Sequence, residues 1–389
     1  MPDFFASLNA MSDLPVKVWV LAPSVKSTDE NIDYYYDFSQ SILEYSKTFE
    51  ELGLEWQWQP VTMNDYEVII TGIAAEKKAK KYFPIVFNLC DGDEINGSPG
   101  ISVVDLLYKK KLAYTGADAF FYNITTSKIA MKKAFDQVGL CTPNWEAIFC
   151  ADQDISGIFQ RLGSPLIVKP SVSGGSMGVG TKNVVYNEKD LKSLIRNLFT
   201  GYRGWNLVAD GLIAESFIKG AEYTCLITGN YNQPGNAIVY DPVERVFHDS
   251  LPEDEKFLSF DRLWEIYEDE VAMPNEENFY EYGQVDISIA REVKKISWEA
   301  HAAVKGTGYS RVDIRTNSQT GKMYVLEVNA QCGISEDEDY TSIGAILRYS
   351  GKTFTDLVKA IILNAIVRNK KRASEEKKVS SFIYEPVSK

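Results

Sequence analysis

The sequence predicts a multidomain protein that combines an α/β unit with α+β units, and three observations lead to this class. The chain has 389 residues, which is more than one ordinary hydrophobic core organises, so two or three domains are expected. Over roughly residues 1–122, short apolar strands alternate with helical segments, which indicates a parallel sheet covered by helices. Later segments place strands on either side of turn residues, which is typical of hairpins in α+β units.

The first predicted unit, residues 1–122, contains the alternating strands and helices. Asp33 to Leu52 is predicted to be one helix, because apolar residues recur on one face and Gly53 follows as a stop. A second helix is predicted over 98–111, with Pro99 where a helix can start, and a charged surface helix lies between the second and third strands. The predicted strands are 17–22, 67–71, 84–90 and 112–116.

The second predicted unit, residues 123–225, begins with a helix that Thr125 or Thr126 can cap and that Gly139 can end. An amphipathic helix is predicted over 189–199, and two strands flank Lys219 and Gly220. The third unit, 226–370, mixes strands and helices and includes a long irregular stretch, and residues 371–389 form a charged tail.

Composition restricts the function. The net charge is 41 − 54 = −13, which disfavours binding of nucleic acid or of an anionic membrane through the overall field. The most apolar stretch, 354–367, is interrupted by Asp356 and Lys359, so a buried helix is expected there rather than a membrane span. Five cysteines without a CxxC pair, and no visible secretory signal, favour the cytoplasm. The two histidines lie far apart, which argues against a histidine metal site or a Ser-His-Asp triad.

The stretch KPSVSGGSMGVG, residues 169–180, contains almost no bulky side chains. Its spacing fits neither a Walker phosphate loop nor a dinucleotide fingerprint. Predicted strands precede and follow it, so it is expected to join two antiparallel strands. Glycine lets a backbone approach closely, so the loop can close over an anion such as phosphate. The alternative is an ordinary mobile hairpin tip.

A second informative stretch, SRVDIRTNSQTGKMYVLEVNAQCG, spans residues 310–333 and contains a turn sequence, which predicts a hairpin. Strict alternation in its second strand places Glu327 and Asn329 on one face and Leu326 on the other. Asp313 can share the face of Glu327 across the ladder. Such an oxygen-rich set suits Mg²⁺ or Mn²⁺ together with substrate phosphates, with a solvated polar face as the alternative. Arg311 and Arg315 nearby can stabilise phosphoryl charge.

Taken in order along the chain, these stretches resemble the ATP-grasp superfamily and, within it, the D-alanine–D-alanine ligase family. The similar segments are VFNLCDGDEINGSPG, LAYTGAD, TTSKIAMKKAFDQVGLCTP, the glycine loop, AESFIKGAEYT and RVDI with YVLEVNAQCG. The resemblance implies an ATP-grasp fold with an N-terminal Rossmann-like domain. It also implies ATP, two Mg²⁺ ions, small-molecule carboxylate and amine substrates, an acyl-phosphate intermediate and a homodimer through the N-terminal domain.

The resemblance also assigns individual residues. Those implied to bind ATP are Lys128 and Lys169 at the phosphates, Ser173, Gly174, Gly175 and Ser176 in the closing loop, Glu215, Phe217 and Ile218 at the adenine, and Glu222 at the ribose. The implied metal ligands are Asp313, Glu327 and Asn329. Arg311 and the N–H of Gly333 are implied to stabilise the tetrahedral oxyanion, and Ser176 completes the implied catalytic set.

The substrate-binding segments depart from the family pattern. The glycine-rich turn after the first strand is missing, which leaves Asp29 or Glu30 as a guess for the acid that holds the substrate ammonium. The family's histidine in the N-terminal substrate loop is absent. Arg262 stands beside the positions where the family has a phosphate-binding lysine and a tyrosine, and is a candidate replacement. Near the second substrate, Thr341 or Ser342 is a candidate carboxylate ligand, and the acidic residues 336–339 either favour a cationic amine or form a solvated loop.

ATP-binding and metal-binding segments are therefore kept while substrate segments differ. The sequence predicts an ATP-dependent ligase that forms an amide or peptide bond between amino-acid-like substrates other than two D-alanines. Two alternatives remain: a non-catalytic ATP-binding relative with a regulatory role, and another ATP-grasp ligase such as an acid–thiol ligase.

Overall fold

The computed structural model describes residues 4–9, 12–26, 29–274, 277–338 and 341–383, with side chains up to residue 374. Within these ranges the strands form three sheets. The strands are β1 (Val16–Pro23), β2 (Glu55–Val61), β3 (Phe83–Asn88), β4 (Ala113–Tyr114), β5 (Trp145–Ile148), β6 (Leu166–Pro170), β7 (Val184–Val185), β8 (Leu212–Ser216), β9 (Glu222–Thr228), β10 (Ile238–Val239), β11 (Val243–Phe247), β12 (Tyr280–Gln284), β13 (Tyr309–Thr316) and β14 (Met323–Ala330).

Helices cover these sheets and connect their strands. They are α1 (Phe4–Asn9), α2 (Ile32–Tyr35), α3 (Ser39–Glu51), α4 (Tyr66–Lys78), α5 (Ile101–Lys109), α6 (Ala119–Thr126), α7 (Lys128–Val138), α8 (Ile158–Leu162), α9 (Glu188–Phe199), α10 (Phe260–Trp264), α11 (Ile287–Ala303), α12 (Ser342–Tyr349) and α13 (Phe354–Ile383). No helix within the described ranges combines the length and the apolar character that a membrane span requires.

The N-terminal sheet is parallel, in the order β2-β1-β3-β4, which confirms the predicted α/β class for this unit. The prediction of a strand over 67–71 is wrong, because this apolar run lies inside α4 and buries Ile70 and Ile73 at helical spacing. The strand that completes the sheet is instead the edge strand β2, which sequence analysis missed although its tryptophans alternate with polar residues, the pattern of a half-buried strand.

The single helix predicted from Asp33 to Leu52 is two helices, α2 and α3. Between them, the Asp37 carboxylate accepts a hydrogen bond from the Ser39 backbone N–H at 2.8 Å, which helps to start α3. Leu52 is buried as predicted, and Gly53 follows with a positive φ of 58°.

The central sheet is antiparallel, in the order β5-β8-β6-β7. The pairing of β6 with β7 confirms that the glycine-rich loop joins two antiparallel strands. The helix before this sheet, α7, is capped by Ser127 rather than by the predicted threonines, since the Ser127 hydroxyl accepts from the Ala130 N–H. Gly139 ends α7 with a φ of 67°, as predicted.

The C-terminal sheet is antiparallel, in the order β12-β11-β9-β13-β14, with β10 paired to β9. Strand β9 belongs to this sheet although the predicted boundary of the central unit, residue 225, lies inside it. The division into units remains a proposal, and the sheet pairings favour a boundary near Gly220. The predicted irregular stretch, 241–285, contains β11, α10 and β12.

The last helix, α13, returns to the N-terminal unit. Its apolar residues pack into the same core as Val18, Val20 and Ile85 of the parallel sheet, which confirms the predicted buried helix over 354–367. Further along α13, Arg368 donates hydrogen bonds to the backbone oxygens of Gly116 and Tyr114, at 2.7 and 2.6 Å, and Arg372 donates to that of Leu112 at 3.1 Å. The guanidinium groups therefore lie along the outer edge of β4.

Candidate active site

A cavity of about 420 Å³ lies where strands of the central and C-terminal sheets face each other. We call it the nucleotide cavity. It has a size within the range of small-molecule and cofactor sites. Its walls include these predicted site residues: Lys128, Lys169, Ser173, Gly174, Gly175, Ser176, Glu215, Phe217, Ile218, Glu222, Arg311, Asp313, Glu327, Asn329 and Gly333.

One buried carboxylate holds two lysines at this cavity. Glu215 Oε1 lies 2.8 Å from Lys169 Nζ, and Glu215 Oε2 lies 2.9 Å from Lys132 Nζ. Burial acts to raise the pKa of Glu215, but the two ammonium groups outweigh it and lower the pKa to about 2. Glu215 therefore stays ionised and positions both lysines. Lys132 was missed by sequence analysis, although it lies one helical turn after Lys128 and therefore shares its face of α7.

The glycine-rich loop is anchored to the segment that contains α10. Gly175 and Ser176 both have left-handed backbone conformations, with φ of 54° and 58°. The Ser176 hydroxyl donates to the Leu258 backbone oxygen at 2.8 Å, and the Phe260 N–H donates to the Val179 oxygen at 2.8 Å. At the near side of the loop, Lys128 Nζ donates to the Ser173 oxygen at 3.1 Å. The loop is thus held over the cavity beside a lysine, an arrangement that suits phosphate binding.

The other end of the cavity is apolar. Ile167, Val179, Phe217 and Phe257 form one hydrophobic cluster, and the Phe217 and Phe257 rings meet edge to face at a centroid distance of 5.7 Å. Such a pocket can accept a planar base between apolar side chains.

Glu222 lies on the sheet between two arginines. Cross-strand pairing places Arg245 on one side of it and Arg315 on the other, and both guanidinium groups form ion pairs with its carboxylate. The Arg245 guanidinium also lies over the rings of Tyr280 and Tyr282, at 5.4 and 5.7 Å from their centroids. A ribose hydroxyl that bound Glu222 would therefore share the carboxylate with these arginines.

The hairpin β13–β14 brings together the three predicted metal ligands. Asp313 pairs directly with Glu327 across the ladder, and Asn329 Nδ2 lies 3.0 Å from Asp313 Oδ2 and 3.1 Å from Glu327 Oε1. Arg311 donates two hydrogen bonds to the Asp313 carboxylate. Burial acts to raise the pKa of Asp313, but the Arg311 and Arg245 guanidinium groups, together with hydrogen bonds from Arg311 and Thr224, outweigh it and lower the pKa. Two carboxylates and an amide that can turn its oxygen inward fit a hard divalent cation.

The strict alternation predicted for β14 is wrong. Leu326 and Glu327 are adjacent, yet both border the nucleotide cavity, while Val325 and Val328 are both buried in the core behind the sheet. The cause is a β-bulge, where the register shifts between Asp313 and Ile314. The bulge adds the apolar Leu326 side chain to the cavity floor next to Glu327, a predicted metal ligand.

Arg262 does not take the predicted position. Its guanidinium forms ion pairs with Glu255 at 2.6 Å and Glu270 at 3.4 Å, because α10 turns this side chain away from the cavity. The next two residues, Leu263 and Trp264, border the cavity instead.

The residues predicted to bind substrate also differ in whether they border the cavity. Thr341 and Ser342 both border the nucleotide cavity at the start of α12. Two of the acidic residues in 336–339 are already paired with protein cations, Glu336 with Lys47 and Glu338 with Arg348. Asp339 lies outside the described residues, as do residues 384–389 of the predicted tail.

A lysine-bordered cavity between two antiparallel sheets, with a glycine-rich loop and a carboxylate–amide hairpin, defines the ATP-grasp class. The comparison with family sequences identifies the branch: the family described as "D-ala D-ala ligase C-terminus" matches residues 134–363. The chain therefore belongs to the D-alanine–D-alanine ligase family of ATP-grasp proteins, which confirms the resemblance.

Individual relatives agree with this assignment. The D-alanine–D-alanine ligase of Maridesulfovibrio salexigens is 26% identical over 270 residues, which cover 69% of this chain and 78% of that protein. The ligase of Cupriavidus metallidurans is 28% identical over 260 residues, covering 67% and 70%.

Solved structures share the fold. The D-alanine–D-alanine ligase from Bacillus anthracis complexed with ATP superposes with a TM-score of 0.61 at 20% identity, covering 92% of this chain and 99% of that chain. The ligase from Coxiella burnetii gives a TM-score of 0.64 at 17% identity, covering 94% and 99%. These likenesses confirm the predicted fold class.

Proposed function

We propose that the protein is an ATP-dependent carboxylate–amine ligase that forms an amide or peptide bond between amino-acid-like substrates other than two D-alanines. The observation that carries the proposal is the junction of two cavities. The nucleotide cavity shares one end with a second cavity of about 500 Å³, which we call the substrate cavity. The side chains at the junction include Lys128, Arg311, Glu327 and Asn329.

The proposed reaction has two steps. A substrate carboxylate oxygen attacks the γ-phosphorus of ATP, ADP leaves, and an acyl phosphate forms. The nitrogen of the second substrate then attacks the acyl carbon, loses a proton and expels inorganic phosphate. Lys128 and Lys169 offset the phosphate charge, and Arg311 with the Gly333 N–H stabilises the oxyanion of the tetrahedral intermediate. Two Mg²⁺ ions, or Mn²⁺, held by Asp313, Glu327 and Asn329 would neutralise phosphoryl charge during transfer.

The acyl phosphate must be protected from water. The hydrogen bonds that tie the glycine-rich loop to residues 257–264 hold a cover over the junction. Such a cover keeps water from hydrolysing the reactive intermediate.

The choice of substrate rests on the walls of the substrate cavity. The relatives named above are D-alanine–D-alanine ligases, so D-alanine is the reference substrate. The walls of this cavity are rich in aromatic and acidic side chains, among them Tyr36, Phe38, Asp91 and Trp205. A cavity of this volume with such walls accommodates side chains much larger than the methyl group of alanine.

The test measures phosphate release from ATP and Mg²⁺ by the purified protein with pools of amino acids and small carboxylic acids, with D-alanine run alongside. We expect release that depends on one pool and an amide product of matching mass. D-alanyl-D-alanine as the preferred product would overturn the substrate assignment. Tight ATP binding without release in any pool would contradict the ligase and support a non-catalytic relative. Sedimentation of the same sample tests the homodimer, which stays a prediction.

A further inference from the structure

One wall of the substrate cavity contains a buried hydroxyl that no protein group satisfies. Tyr45 of α3 contributes to this wall, although its side chain is fully buried. Its ring packs edge to face against Phe87 and Phe354, at 5.1 and 5.6 Å between centroids. The Tyr45 hydroxyl has no hydrogen-bond partner within the ranges that the structure describes. A buried polar group without a partner costs free energy, so a ligand atom that bonded this hydroxyl would be stabilised there.

Two other hydrogen-bonding groups border the cavity beside Tyr45. Ser41 lies one helical turn earlier on α3 and therefore shares the face of Tyr45. Cys332 borders the cavity as well and lies close enough to Tyr45 to affect its ionisation. We call Ser41, Tyr45 and Cys332 the neutral pocket.

The groups of the neutral pocket carry no charge at neutral pH. Burial raises the pKa of the Cys332 thiol to about 12. Burial, followed by the nearby Glu44 carboxylate and Cys332 thiol, holds the pKa of the Tyr45 hydroxyl well above its usual value. Tyr45 therefore keeps its proton and can donate it in a hydrogen bond to an oxygen atom in the cavity.

Two other aromatic donors in the same wall are already bonded within the protein. The Tyr122 hydroxyl donates to a backbone oxygen at 2.7 Å, and Trp205 Nε1 donates to the Asp29 carboxylate at 2.9 Å. In the described structure, neither Asp29 nor Glu30, the acids suggested by the sequence, borders either cavity. The Tyr45 hydroxyl differs from the two bonded donors, because its partner has to come from the cavity.

We propose that the neutral pocket binds an uncharged oxygen-bearing group, a hydroxyl or an amide, on the side chain of an amino-acid substrate. The assignment rests on the proposed ligase function and specifies its substrate class. Cys332 immediately precedes Gly333, which borders both cavities, so the pocket lies next to the proposed reacting centre. A purely apolar side chain would leave the Tyr45 hydroxyl without a partner, which is how such a site rejects it.

Binding can be measured without turnover, because Trp205 and Trp264 border the cavity and report on it by fluorescence. The protein is titrated without ATP with pairs of amino acids of similar shape, of which one member has a polar group where the other has a methyl or an isopropyl group. The pairs are serine with 2-aminobutyrate, homoserine with norvaline, and asparagine with leucine, each as both enantiomers. The variants are Tyr45→Phe and, as the matched control from the same wall, Tyr122→Phe.

We expect the parent protein to bind the oxygen-bearing member of at least one pair about 10-fold or more tightly than the apolar member. Tyr45→Phe is expected to reduce this preference to within about 3-fold. Its melting temperature should equal or exceed that of the parent, because the substitution removes a buried hydroxyl that has no partner. Tyr122→Phe loses a hydrogen bond inside the protein, so it should melt at a lower temperature and keep the preference.

Three results would overturn the neutral pocket. One is equal affinity for, or no binding of, both members of every pair in the parent protein. The second is an undiminished preference in Tyr45→Phe. The third is a melting temperature of Tyr45→Phe as low as that of Tyr122→Phe, which would show that the Tyr45 hydroxyl is bonded within the protein.

Phosphate release separates this proposal from the ligase on which it rests. Amino-acid-dependent release without a preference within the pairs would leave the ligase standing and remove the neutral pocket. A preference that depends on Tyr45, in a protein that releases no phosphate, would leave the pocket standing and remove the ligase.

Discussion

The indole Nε1 of Trp264 donates a 2.8 Å hydrogen bond to the backbone oxygen of Gly175. A Cβ built on Gly175 would lie 3.0 Å from the Trp264 ring, so the loop approaches this side chain closely. On its other side, the ring meets Tyr34 and Tyr35 edge to face, at 5.9 and 5.0 Å between centroids. One tryptophan therefore contacts the N-terminal unit and the glycine-rich loop at the same time.

Removing the donor from this tryptophan tests the cover over the junction. Trp264→Phe keeps an aromatic ring but loses the N–H, and one hydrogen bond of about 1 kcal/mol corresponds to roughly a 5-fold effect. We expect a proportionate fall in amide formed per ATP consumed, because water reaches the acyl phosphate more often. Product and phosphate are measured together. The control is Trp145→Phe, which loses an indole hydrogen bond to Asp136. Equal coupling ratios in both variants would contradict the covering role.

For the hairpin β13–β14, which contains the predicted metal ligands, we expect a substitution to lower turnover much more than it weakens ATP binding. In Glu327→Gln the side chain keeps its size but loses the charge that a divalent cation needs. We expect turnover to fall by about 100-fold or more, while the dissociation constant for ATP stays within about 3-fold. Isothermal titration and phosphate release give the two quantities. Glu281→Gln, at an exposed position of β12, is the control. Retained turnover in Glu327→Gln would remove this residue from the metal set.

We expect the loss of the Glu215 carboxylate charge to lower the free energy of unfolding strongly. Glu215→Gln leaves the buried Lys132 ammonium without its counter-charge, which costs about 3–5 kcal/mol in the free energy of unfolding. Chemical denaturation measures the change. Glu146→Gln breaks the exposed pair with Arg161 and is expected to cost about 0–1 kcal/mol. Adding Lys132→Met to Glu215→Gln restores part of the loss. Similar costs for Glu215→Gln and Glu146→Gln would contradict this reading of the buried pair.

The buried His301 side chain is expected to make the free energy of unfolding depend on pH. Burial lowers the pKa of His301 to about 4, against about 6.5 in the unfolded chain. As the pH falls, the unfolded chain takes up this proton first. The contribution of His301 to the free energy of unfolding is therefore complete above about pH 6.5 and decreases until about pH 4, where the folded protein takes up the proton as well. The contribution is about 3 kcal/mol over that window.

Denaturation of His301→Gln across pH 4–7 checks this dependence, which the substitution is expected to remove. His248→Gln is the matched control, because His248 is partly exposed and lies outside the core. A parent protein whose stability is constant over this window would contradict the neutral, buried state of His301.

The sequence predicted those parts of the site that depend on neighbouring residues. Turn residues and strand patterns are local, so the hairpin around Asp313 and Glu327 and the loop near Ser176 were recognised. The parallel sheet was also predicted, although an apolar run was assigned to a strand where α4 buries Ile70 and Ile73. Short apolar runs satisfy both periodicities, and only the packing partner decides between them.

The errors at the site have a long-range origin. Arg262 was placed by its neighbours in the sequence, but Glu255 and Glu270 draw it to the opposite side of α10. The inward position of Leu326 depends on a bulge that forms only when β14 pairs with β13.

The arginines of α13 along β4 affect the order in which the protein can fold during synthesis. Edge strands with free backbone groups invite pairing with another chain, and here guanidinium groups from residues 368 and 372 occupy the outer carbonyls of the first sheet. A nascent chain that has emerged only as far as residue 350 has its first sheet uncovered. The N-terminal unit can therefore pair with another chain through this edge strand until α13 has been synthesised. A chain shortened before Arg368 would keep the outer backbone oxygens of β4 exposed permanently.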